Sequence, residues 1–242
     1  KAGADEDDYL RLKAEIEAET GFPLSFEGIY KWIAFLPSKV TPGLPAQNRY
    51  FGVYRRGELK VRGIEARRHD TPLFFKQCQM EVIRVLAEAD TVAEAKEKVP
   101  ECVGVFLKYA KAIEERIVPV EEMAFTTNLS KKPEEYINRT LQSTVAKQLA
   151  GEGVELHAGE GIRYVIRDYQ SSGSKRAVPV DFLEEAAAYD PRRYIRLLAE
   201  ACASVLTEFD KRCDADWLVG QHKHGSALNR SPVARKIGDE ST

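Results

Sequence analysis

Apolar positions along the chain fall into short periodic runs separated by proline- and glycine-rich breaks, and the period changes near residue 70. Tyr9, Leu12 and Ile16 give the acidic segment 7–20 one apolar face at helical spacing, and Gly21-Phe22-Pro23 ends it. Residues 24–36 (LSFEGIYKWIAFL) are rich in aromatic and β-branched side chains and predict a strand. A proline- and glycine-containing connector leads to a predicted hairpin with arms RYFGVY and ELKVRGIEARR, joined at Arg55-Arg56-Gly57. The first 70 residues read as a helix on about three antiparallel strands.

Beyond Asp70 the period is helical. Thr71-Pro72 predicts a helix start with proline at the first helical position, where its missing N–H costs nothing. Phe75, Cys78, Val82 and Leu86 then recur at i, i+3, i+7 and i+11. Phe106, Tyr109, Ala110 and Ile113 mark a further helix, and Pro133 is read as opening another, with Leu141, Val145 and Leu149 in line. Residues 161–169 predict a strand and SSGSKR a loop. Asp190-Pro191 begins a long helix to about Lys211, with Ile195, Leu198, Cys202, Val205 and Phe209 inward. From Gly220 the periodicity is lost and a flexible tail is expected. The expected fold is α+β, with a small mixed part over residues 1–70, a mainly helical domain over 71–219 and a tail over 220–242.

Composition changes this picture little: 43% hydrophobic and 31% charged residues in 242 suit an ordinary globular chain. There is no run of 18 apolar residues and no basic-then-apolar leader at the start, so a cytoplasmic location without a membrane partner is expected. The four cysteines show neither CxxC nor zinc-like Cys/His spacing and read as reduced, partly buried thiols. A net charge of −2 excludes a uniformly basic coat, yet residues 49–68 hold seven arginines and lysines against two glutamates.

Candidate chemistry is sparse. The chain has no GxSxG, P-loop, HExxH or Rossmann glycine pattern, and its four histidines do not pair with cysteines, so no self-contained catalytic set emerges. Strand alternation lets Lys60, Arg62 and Arg68 line one side of the hairpin while Val61 and Ile64 face the core, and Arg49 and Tyr50 open the partner strand. Cations on a rigid sheet suit phosphate contact; the plainer reading is a solvated charged face. Gly63 inside the strand predicts a bulge or a close backbone approach. Ser130, Lys131 and Tyr136 around Pro133 could seat a phosphate at a helix start, against the plainer reading of an ordinary capped terminus. Glu27 is a lone carboxylate among apolar neighbours.

In this order these segments resemble the archaeal-type family B DNA polymerases, from the first helix to about Trp217. EGIYKWIAFLPSK is similar to the palm strand that follows the family's YGDTDS motif. RYFGV falls where the family has a KKKY-like motif along the primer–template minor groove. LKVRGIEARRHD is similar to the TRG…RRD segment that closes the palm, and TTNLSKKPEEY, VAKQLAGEG and GIRYVI resemble successive parts of the thumb.

The resemblance implies that Arg49 and Tyr50 contact the duplex near the primer end, although Gln47-Asn48-Arg49 replaces a lysine-rich triplet. Lys60, Arg62, Arg67 and Arg68 would meet the primer strand or brace the palm, with one of the arginine pair serving Glu65 or Asp70. Ser130, Lys131 and Tyr136 would hold duplex phosphates, and Glu27 matches a carboxylate close to the palm's metal site. Polymerisation in the family uses two aspartates and two metal ions, normally Mg2+, which activate the primer 3′-OH and stabilise the leaving pyrophosphate. Those aspartates, the fingers and the exonuclease belong to segments upstream of Lys1. The implied protein is therefore the palm end and thumb of a DNA-directed DNA polymerase, a split subunit or fragment, inactive alone. Its implied partners are primer–template DNA and the upstream polypeptide bearing a YGDTDS-type motif. A sliding clamp stands as a further partner, although the last residues lack the Gln-x-x-hydrophobic-x-x-aromatic-aromatic pattern of its ligands. Two rivals are a non-catalytic DNA-binding or regulatory protein that kept a polymerase thumb, and a protein–protein adaptor with merely solvated arginines.

Overall fold

Local chemistry sets the first element. Helix α1 (Glu6–Thr20) starts where Asp5 accepts from the Asp8 N–H and Asp8 accepts in return from Asp5, a capping box, and it ends at Gly21 in the left-handed region. No α1 residue is buried; Tyr9 stacks on Phe26 at 6.1 Å. This computed structural model describes residues 4–38, 44–183 and 189–229.

Strands β1 (Tyr30–Pro37), β2 (Pro45–Tyr54) and β3 (Leu59–Arg62) form an antiparallel sheet in that order. The strand expected over 24–36 begins only at Tyr30. The β2 ladder ends at Tyr54 opposite Tyr30, the Arg55 N–H closes on Ile29 O at 2.8 Å, and Gly28 at φ +130° turns the preceding chain away. Gly63 follows β3 at φ +64°, and a Cβ there would stand 1.9 Å from Asn48 O, so the expected close backbone approach is present.

The mainly helical part holds α2 (Leu73–Ala87), α3 (Val92–Glu97), α4 (Val99–Glu114), the single turn α5 (Val120–Met123), α6 (Leu141–Gly151), α7 (Pro191–Leu206) and α8 (Ala215–Asn229). A second antiparallel sheet, β4 (Phe125–Asn128), β5 (Gly161–Ile166) and β6 (Ala177–Pro179), lies among them. Phe75, Cys78, Val82 and Leu86 all face inward from α2, at most 3% exposed. Pro72 sits one place earlier than expected, capping α2 in an extended conformation. Pro133 opens only one 3-10 turn, Pro133–Glu135. The helix waits for Thr140, whose side chain accepts from the Ser143 N–H while Ser143 Oγ accepts from Thr140. Residues 220–229, expected to be tail, continue α8, and the remainder of that expected tail, 230–242, lies outside the described residues.

One apolar core joins both parts across residue 70. Trp32 and Phe51 on the inner face of the first sheet meet Phe209 at 5.9 and 6.0 Å, and Trp32 Nε1 donates to Ala89 O at the end of α2. Burying each such aromatic stabilises the fold by about 1.5–3 kcal/mol. Phe75, Phe125 and Tyr194 continue the core to the second sheet, and a satellite cluster of Leu129, Val145, Ala146, Leu149, Ile162 and Ala177 lies between α6 and that sheet. All four cysteines are buried and unpaired; burial pushes the Cys102 thiol up to about 12. Among the described residues no helix is long and apolar enough to cross a membrane.

Candidate nucleic-acid interface

Antiparallel register sorts the hairpin into two faces. Phe51 pairs with Val61 and Val53 with Leu59, and these point inward. The outer face carries the row Phe35–Tyr50–Arg62 and the row Ile33–Gly52–Lys60. Phe35 is 50% exposed and tilts against Tyr50 at 5.5 Å. Arg62 is exposed and makes no hydrogen bond or ion pair with the described residues. An exposed guanidinium beside the Tyr50 position can meet a phosphate, a sugar or a base edge.

Lys60 is already engaged. Its Nζ lies 2.7 Å from Glu27 Oε1, while Tyr54 donates its hydroxyl to Glu27 Oε2 at 3.1 Å. The Lys60 hydrogen bond, then that of Tyr54, holds the Glu27 carboxyl below the usual carboxylate range, whereas burial, then hydrogen bonds with Tyr30 and Glu27, push the Tyr54 hydroxyl up. Both Glu27 oxygens are thus occupied, and among the described residues no group of three or more His, Cys, Asp or Glu side chains could hold a metal. The residues here do not fit a Mg2+ seat.

Arg49 and Tyr50 are consecutive on β2 and so point to opposite faces. The Arg49 guanidinium turns inward, donating from Nη1 to Pro37 O at 3.0 Å and from Nε to Gly63 O at 3.3 Å. Its Nη2 is 3.8 Å from Glu65 Oε1, an ion pair too long for a hydrogen bond. Glu65 is in turn held by Gln79, the fully buried hub of this corner. Gln79 Oε1 accepts from the Ala66 N–H at 2.6 Å, and Nε2 donates to Glu65 Oε2 at 3.0 Å and Ala201 O at 2.7 Å. Ser204 Oγ also donates to Glu65, at 2.9 Å. Sequence reasoning passed over Gln79, although a polar residue on the stripe of Phe75, Cys78 and Val82 is itself the signal of a buried network.

Arg68 grips Asp70 through Nε and Nη2, so one of the arginine pair is a structural partner, and this hydrogen bonding holds Asp70 below the usual carboxylate range. Arg67 stays exposed.

On the second sheet, Ser130, Lys131 and Tyr136 are brought together by loop closure. Tyr136 OH accepts from the Ser130 N–H at 3.0 Å and lies 3.3 Å from Ser130 Oγ. Lys131 Nζ sits over the Tyr136 ring at 5.2 Å, and Lys147 Nζ donates to Tyr136 O at 3.1 Å. The open helix N-terminus expected here is absent, since Pro133–Glu135 is a single turn and the Ser130 N–H is taken. Cationic character comes instead from Lys131 and from a neighbouring cleft lined by Arg139, Thr144, Lys147 and Ser174.

Sequence comparison with known families matches residues 15–209 to DNA polymerase family B. The chain belongs to that family. The DNA polymerase of Archaeoglobus fulgidus is 29% identical over 186 residues, covering 76% of this chain and 22% of that protein. DNA polymerase 1 of Saccharolobus solfataricus is 26% identical over 187 residues, 77% of this chain and 20% of that one. This family B polymerase chain thus spans about a fifth of the length of these relatives. The solved family B DNA polymerase of Pyrobaculum calidifontis shares the fold, with a TM-score of 0.59 at 22% identity, over 85% of this chain and 24% of that one. The hairpin, the second sheet and helices α2 to α7 fall inside the matched span, whereas most of α1 and all of α8 lie outside it.

Proposed function

We propose that this chain grips primer–template duplex as the palm end and thumb of a family B DNA polymerase. The observation that carries the reading is the outer row Phe35–Tyr50–Arg62, an exposed arginine beside the half-buried Tyr50 with the exposed Phe35 beyond it on one sheet face. Arg67 is a further exposed cation, and Lys131 beside the Tyr136 ring adds a second cationic site on the other sheet. Lys60 joins them only by giving up Glu27, and Arg49 and Arg68 contribute as braces that hold the hairpin in shape.

Nucleotide addition in this reading belongs to an assembly with a polypeptide or segment bearing a YGDTDS-type motif, whose aspartates hold Mg2+. Titrating the chain with labelled duplex should show affinity falling linearly on logarithmic axes as salt rises. Mixing it with the upstream part of a matching polymerase should restore Mg2+-dependent primer extension. A folded, DNA-bound mixture that extends nothing would refute the polymerase role, and affinity indifferent to salt would refute the grip.

A further inference from the structure

Two arginines from distant parts of the chain share one tyrosine. The Arg176 and Arg193 guanidinium carbons lie 4.5 and 4.1 Å from the centre of the Tyr169 ring. Such stacking attracts each cation to the ring, but it brings two like charges together. Neither guanidinium has an ion pair or hydrogen bond among the described residues, and the Nε of each is buried without a partner. Among the described residues, the nearby acids Asp190 and Asp168 are committed to other donors. Asp190 accepts from the backbone N–H groups of Tyr169 and Arg193, and Asp168 accepts from those of Gln170 and Ser171 and from the Ser171 hydroxyl.

Arg193 also stands in the first turn of α7, a 16-residue helix with no acid in that turn. The partial positive charge of a helix N-terminus disfavours cations there, and the N-cap Asp190 carboxylate, which accepts from the Arg193 N–H, offsets part of it. A bound anion would relieve the crowding of the two guanidinium groups themselves. The forked guanidinium groups suit a tetrahedral oxyanion, which each can meet through two donors.

The neighbourhood indicates which oxyanion. Arg176 ends the loop whose Ser174 lines the cleft with Arg139 and Lys147, and α6 is fastened to the adjoining strand by Gln148 Nε2 donating to Ala177 O at 2.8 Å. Lys147 and Ser174 line one cleft beside the Lys131–Tyr136 loop, and Arg176 follows two residues after Ser174. We propose that Arg176 and Arg193, braced by Tyr169, form a seat for a backbone phosphate of a nucleic-acid strand that continues past that loop. The seat rests on the DNA-binding reading above and extends it to residues outside the hairpin and the 130–136 loop.

The test uses the full chain, a fluorescein-labelled duplex and anisotropy over a salt series, with R176Q/R193Q and R176K/R193K alongside wild type and thermal melting as the check on folding. The glutamine pair should weaken binding about ten-fold and make the slope of log affinity against log salt shallower by about 1–2; the lysine pair should retain most of the wild-type slope. Wild-type affinity and slope in a folded glutamine pair would overturn the seat while leaving the duplex grip standing. A lysine pair that loses as much as the glutamine pair would overturn it too. Absence of salt-dependent DNA binding by wild type would overturn both readings. Inorganic phosphate provides the last arm. If it raises the melting temperature of wild type and not of the glutamine pair while DNA slopes coincide, the seat holds free phosphate and the nucleic-acid assignment fails.

Discussion

Replacing Gln79 by leucine keeps the side-chain volume near constant and removes every polar contact of the hub. The Ala66 N–H loses its 2.6 Å acceptor, at a cost of about 1–3 kcal/mol for an orphaned donor. Glu65 loses a charged hydrogen bond of about 1.5–3 kcal/mol but keeps Ser204 and Arg49. Ala201 O loses the Gln79 donor and shares the single Ser204 hydroxyl proton with Glu65. Burying leucine in place of glutamine returns about 1–2 kcal/mol, so the net loss is roughly 2–4 kcal/mol. For a chain of this size that lowers the melting temperature by roughly 5–15 °C. Circular dichroism melting at neutral pH measures the shift. A double-mutant cycle with Glu65→Gln should show a coupling of about 0.5–3 kcal/mol. A leucine variant melting within about 2 °C of wild type, or a cycle that is simply additive, would show that the hub does not hold the corner together.

The same corner and its neighbours give three further expectations. Gly63→Ala forces a side chain into φ +64° and against Asn48 O, which should cost at least about 2–4 kcal/mol; a melting temperature equal to wild type would refute the close approach. Arg49→Gln removes two charge-assisted bonds to carbonyls and should cost about 1–3 kcal/mol of stability while leaving the DNA salt slope unchanged; a slope shallower by about 1 with intact stability would make Arg49 a DNA contact instead. Asp70, held below its ordinary value by Arg68, contributes stability that is complete above about pH 4 and lost as the pH falls through its lowered folded value. Urea unfolding from neutral to acid pH should therefore show a shallower acid decline for Asp70→Asn than for wild type, and parallel curves would refute the link.

Much of the fold was legible because period and burial coincide. The α2 stripe, the long α7 capped by Asp190 and the hairpin with its Gly63 approach follow from spacing alone. Where local signals compete, the reading slipped. Pro133 looks like a helix start, but the decisive cap is Thr140 with Ser143, a pair outside the usual Ser/Thr-x-x-Glu/Gln pattern. Strand β1 is short because pairing, not propensity, ends it, and the partner's length cannot be read from residues 24–29. The last described helix escaped notice because WLVGQHKHGSALN shows no clean apolar stripe. In the site, charge was legible and direction was not. Arg49 and Lys60 read as DNA contacts, yet each has a carboxylate or carbonyl partner that only the tertiary fold supplies, whereas the expected bracing role for one of Arg67 and Arg68 falls to Arg68, which holds Asp70 two residues on. Period-two alternation did contain the correction for Arg49, since a residue adjacent to an outward Tyr50 must face inward.

The contact of Trp32 and Phe51 with Phe209 has a consequence for the order of events during synthesis. Phe209, part of the first sheet's apolar cover, lies about 150 residues beyond the end of the hairpin at Arg62. At ~5–20 residues per second, a ribosome needs roughly 7–30 s to deliver it after the hairpin has emerged. Throughout that interval the nascent hairpin lacks this part of its aromatic cover, so holdase chaperones have a defined early target here, and slow translation of the intervening helices lengthens its exposure.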